Sequence, residues 1–64
     1  MNEEDKQLIE SIRYEYNSSN ASKLKSIGAR YGFTSSSGCF CKAKNIIEYM
    51  TRFNVWYETT YPNE

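Results

Sequence analysis

The run Ile27-Gly28-Ala29-Arg30-Tyr31-Gly32-Phe33-Thr34 has the spacing of a helix end followed by a turn. Gly28 sits four residues before Gly32, with aliphatic Ile27 ahead of the pair and Phe33 and Thr34 behind it. A close helix crossing leaves no room for a Cβ at the first glycine. The second supplies a left-handed residue at little steric cost. This is the pattern of a helix-turn-helix core. The competing reading is an ordinary helical hairpin with a glycine stop.

Working outward, the octet closes a helix expected over about Ala21 to Tyr31, with Ala21, Leu24, Ile27 and Tyr31 inward. Phe33 is expected to fold back over Ile27. Upstream, Asn2 is a good N-cap, and Glu3, Glu4 and Asp5 fill a first turn where the helix dipole favours anions. A first helix is therefore expected from Glu3 to Tyr16 or Asn17, burying Leu8, Ile9, Ile12 and Tyr16. Ser18-Ser19-Asn20 then breaks the pattern.

Downstream, the stretch 34–38 is rich in candidate caps, and a third helix is expected from Ser37 to about Phe53. Its apolar stripe is broad: Phe40, Ala43, Ile46, Ile47, Met50 and Phe53. Ile27, Phe40, Ile47 and Met50 are the expected core. Residues 55–61 have strand-like composition but equally suit a further turn of helix before Pro62. The fold class expected is a single all-α domain over residues 1–64. It comprises three helices, helix-turn-helix-like, with a short aromatic C-terminal tail.

The formal charge is zero, yet its distribution is lopsided. Residues 22–52 hold Lys23, Lys25, Arg30, Lys42, Lys44 and Arg52 against Glu48 alone, a net of +5. Residues 1–21 carry −3 and residues 53–64 carry −2. No apolar run approaches the roughly 20 residues of a membrane span, and the polar start does not read as a signal peptide. A cytoplasmic or virion location is expected by default. Without histidine the chain lacks the commonest general base and metal ligand. Glu10, Glu15 and Glu48 are scattered, and no nucleophile–base pair is visible. The expectation is a protein that binds rather than catalyses, without metal or cofactor.

Cys39 and Cys41, separated by one residue, read as free thiols, one in the core and one half-exposed. Two cysteines without histidine do not complete a zinc site within one chain. With Gly38-Cys39-Phe40-Cys41 opening an amphipathic helix after a tyrosine-rich one, residues 10–53 resemble small phage-encoded helical proteins. That resemblance implies a virion component or a host-takeover accessory and carries over no catalytic residues.

Two functional readings follow. In the leading one, Lys23, Lys25, Arg30, Thr34, Ser35, Ser36, Ser37, Lys42 and Lys44 contact nucleic-acid phosphates. The front of the third helix is short of Arg, Asn and Gln, so base-specific contacts are few. In the alternative, the chain is a protein-interaction module. It docks through Phe53, Trp56, Tyr57 and Tyr61, with strand addition as one mode.

Overall fold

The computed structural model describes residues 1–35 and 38–62. Among them are three helices: α1 (Glu3–Ile12), α2 (Ser18–Arg30) and α3 (Ala43–Thr60). The all-α, three-helix expectation holds. Each boundary has a local cause.

At the start of α1 the Asn2 side chain accepts from the Asp5 N–H at 2.8 Å, as its capping role requires. The helix stops at Ile12, earlier than expected, because Arg13 turns inward and the next residues are used by the connection. Asn17 caps α2 by accepting from the Asn20 N–H, so that helix starts three residues before Ala21. The Asn20 side chain donates to the Glu15 carbonyl at 2.7 Å. One interhelical link is thus held by two asparagines.

The octet behaves as its spacing predicts. Gly32 has φ 91°, the left-handed value, and the Phe33 N–H reaches back to the Gly28 carbonyl at 2.8 Å. A Cβ on Gly28 would lie 3.2 Å from the rings of both Phe33 and Phe53, so the glycine marks a close approach of α2 to α3. Phe33 does more than cover α2. Its ring lies 5.7 Å from Tyr49, 5.5 Å from Phe53 and 5.1 Å from Trp56, centroid to centroid.

The third helix departs most from expectation. It begins at Ala43, because residues 40–42 form a turn in which the Lys42 N–H reaches the Cys39 carbonyl. Ser37, the expected start, lies outside the described residues. The connection over residues 31–42 is longer than the three- or four-residue turn of a helix-turn-helix. At the other end α3 runs past Phe53 to Thr60, so residues 55–60 are helical and supply no strand.

The core comprises Ile9, Ala21, Leu24, Ile27, Tyr49, Met50, Phe53 and Tyr57. Ile27 and Met50 are buried as expected, and Phe40 is half-buried against them. Ile47 is corrected: it is 50% exposed. At about 100° per residue, Tyr49, Phe53 and Tyr57 place the buried side of α3 well away from Ile47. Leu8 and Tyr16 also lie partly in solvent. The stripes expected for α1 and α3 are wider than their neighbouring helices cover, whereas that of α2 is covered.

Tyr49 carries the one buried side-chain polar atom without a hydrogen-bond partner among the described residues. Burial pushes its pKa from 10 up to about 12. Tyr49→Phe removes the stranded hydroxyl and keeps the ring, so stability at neutral pH is expected to hold or rise by about 1 kcal/mol. The alkaline limb follows from the same residue. Above pH 10 the unfolded tyrosine ionises while the folded one stays neutral, so its contribution to stability is lost as pH climbs toward 12. Urea unfolding across that window should show a shallower decline for Tyr49→Phe than for the parent. A marked loss of stability at neutral pH would mean that the hydroxyl is bonded after all.

Candidate nucleic-acid interface

The start of α3 carries two exposed cations, Lys42 and Lys44. Lys42 stands at the N-cap position, where no side chain caps the helix, and the first turn holds no acid. Among the described residues, the leading N–H groups of this 18-residue helix are left without a side-chain cap, at its positive dipole end. The preceding turn is tied down by the Asn45 side chain, which donates to the Cys39 carbonyl at 2.9 Å. Phe40 projects from that turn toward α2, where the Lys25 Nζ lies 5.7 Å from its ring centroid. Phe40 thereby ties Lys25 to the turn that leads into α3, where Lys42 and Lys44 are exposed.

Not every expected cation joins them. Lys23 and Lys25 are two residues apart, about 200° around α2, and so occupy nearly opposite sides. Arg30 is exposed but turned toward α1, its guanidinium 3.1 Å from Asp5. Tyr31 donates to the other oxygen of the same carboxylate at 2.6 Å, and this bond raises the tyrosine pKa. Arg30 thus contributes to the α1–α2 contact. Thr34 is exposed and Ser35 half-buried, whereas Ser36 and Ser37 lie outside the described residues.

The aromatic docking surface is corrected. Phe53 and Tyr57 are buried, and Trp56 and Tyr61 pack half-buried against them. Phe53 stacks on Tyr57 at 6.4 Å, and Trp56 meets Tyr61 edge-on at 5.8 Å. The Tyr57 hydroxyl donates to Glu10 at 2.9 Å. Burial and that bond push its pKa up to about 12. These rings fill the interior because α3 continues through them, which puts them in register with Tyr49 and Phe33.

The cysteines are corrected too. Both are exposed, and the structure joins them as a disulfide, with Cα atoms 5.2 Å apart. That separation lies within the ordinary bridging range.

Two features escaped the sequence reading. The first is Arg13, whose side chain is 5% exposed. Its Nε donates to Asn54 at 2.8 Å, and its guanidinium pairs with Glu58 and lies over the rings of Tyr14 and Tyr57. The second is the outer face of α3, where Ile47 and Val55 are 50% and 60% exposed. Its signal is faint, because in sequence Ile47 falls in the broad inner stripe and Val55 in the strand-like stretch.

Among the described residues, no group of His, Cys, Asp and Glu is arranged to hold a metal. Nor is any helix among them long and apolar enough to cross a membrane. Comparison of the chain with protein-family models, curated proteins and solved structures finds no match.

Proposed function

We propose that this is a small, non-enzymatic nucleic-acid-binding protein that engages the phosphate backbone at the N-terminal end of α3. The reading is supported chiefly by Lys25, which meets the Phe40 turn where Lys42 and Lys44 flank an uncapped helix start. Thr34 and Ser35 add hydroxyl donors to the same connection. Few side chains there suit base edges, so binding is general rather than sequence-selective. The sequence in isolation favours nine contact residues. The geometry favours a smaller set, because Arg30 is engaged by Asp5.

The test is fluorescence anisotropy on a labelled duplex at several salt concentrations. Three engaged cations give a log–log slope of about −2.7, at roughly −0.9 per phosphate neutralised. Replacing Lys25 and Lys42 together by alanine is expected to weaken binding to all sequences alike and to flatten that slope by about two units. Lys23→Ala should change little. A chain that does not bind at low salt, or whose binding is insensitive to both lysines, would refute the reading.

A further inference from the structure

On the outer face of α3 the residues Lys44, Ile47, Thr51, Val55 and Glu58 are all exposed. At about 100° per residue they fall within an arc of about 80°, on the side away from Tyr49, Phe53 and Tyr57. Their spacings are three, four, four and three residues, the same read in either direction from Thr51. The chemistry is matched across that midpoint: a branched apolar residue stands on each side, with a cation at one end and an anion at the other.

We propose that this face docks onto a second copy of the chain, with the two α3 helices antiparallel about a twofold axis at Thr51. In that arrangement Ile47 meets Val55 of the partner subunit, and Thr51 meets its own counterpart. Lys44 reaches Glu58 of the partner subunit at each end. A self-complementary patch of this kind is what a twofold interface demands. A parallel pairing would instead set Lys44 against Lys44 and Glu58 against Glu58. Glu58 already binds Arg13, yet its side chain is 60% exposed and keeps an open side. Tyr14, 71% exposed with its hydroxyl 3.5 Å from Glu58, borders each end of the seam and adds aromatic area there. Lys25 and Lys42 lie on other surfaces and stay available to phosphate in both copies, whereas Lys44 is taken up by the seam, so a monomer offers three cations and each copy in the dimer two. The patch is short, about 21 Å from Lys44 to Glu58 at 1.5 Å per residue. The dimer is accordingly weak and forms at high protein concentration.

Sedimentation equilibrium over a wide concentration range, without nucleic acid, tests the arrangement. The parent is expected to pass from monomer to dimer. Val55→Asp, at a site 60% exposed and therefore harmless to the fold, should weaken dimerisation about tenfold or more. Circular dichroism confirms that this variant is folded. Geometry is tested separately in a Cys39→Ser, Cys41→Ser background. There Thr51→Cys, on the axis, should oxidise to a covalent dimer, and Ser22→Cys, on the far side of α2, should not. A parent that stays monomeric throughout would overturn the proposal. So would dimerisation indifferent to Val55→Asp, or cross-linking through Ser22→Cys but not Thr51→Cys.

Discussion

Phe53→Ala is expected to abolish cooperative unfolding of this protein near room temperature. The ring is fully buried and lies within 6.4 Å of the rings of Phe33, Tyr49, Trp56 and Tyr57, centroid to centroid. It also stands against Gly28, so its loss opens the tightest point between α2 and α3. Truncating a buried phenylalanine costs about 3–5 kcal/mol, lost transfer energy and residual cavity together. A domain of this size rarely holds more than about 3–5 kcal/mol in all. The melt followed by circular dichroism should therefore lose its sigmoidal shape. Ile47→Ala, half in solvent, is the matched control and should cost no more than about 1 kcal/mol. If the two variants melted alike, the aromatic cluster would not be the core.

Asn54→Leu is also expected to be destabilising, for a different reason. Asn54 accepts from the Arg13 Nε and donates to the Arg13 backbone carbonyl at 3.0 Å, joining α3 to the end of α1 by both of its amide atoms. Leucine keeps the volume and strands a buried guanidinium edge and a carbonyl. Leaving a buried donor or acceptor unsatisfied costs about 1–3 kcal/mol, more when the group is charged. Arg13 keeps Glu58, which places the expected value at the lower end of that range. Replacing both residues, Arg13→Met with Asn54→Leu, should recover the guanidinium's share of the loss, while the backbone carbonyl of residue 13 stays unmatched in the Asn54 single variant and the double variant alike. Urea unfolding of the two single variants and the double variant measures the coupling. Additive losses would show that the two side chains act independently.

How much of this was legible beforehand differs by element. The octet around Gly28 and Gly32 is local chemistry: a left-handed residue and a missing Cβ are read from residue type, and both are found where expected. The cap at Asn2 is equally local. The extent of α3 was less accessible. Residues 55–60 have β-branched and aromatic character, and only their register with Tyr49 and Phe53 makes them helical. That register is a tertiary property. Ile47 shows the same limit, since helical period places it beside the stripe and only the positions of α1 and α2 decide whether it is covered. In the candidate site, residue type identified the cations but not their partners. The Arg30–Asp5 pair spans 25 residues, and the link of Lys25 to Phe40 spans a loop. Arg13 goes unremarked in the sequence because nothing near it announces Asn54.

The uncapped start of α3 has a consequence for local order. Tyr49, Met50 and Phe53 anchor the middle of that helix, whereas Lys42, Ala43 and Lys44 are exposed and, among the described residues, the N-cap makes no side-chain capping bond. Such an end opens far more readily than the rest of its helix, so its amides are among the first to exchange with solvent. An anion seated there would close it by supplying the missing acceptors. The chain would thus register occupancy as slowed amide exchange in a single turn, while the aromatic interior stayed unchanged.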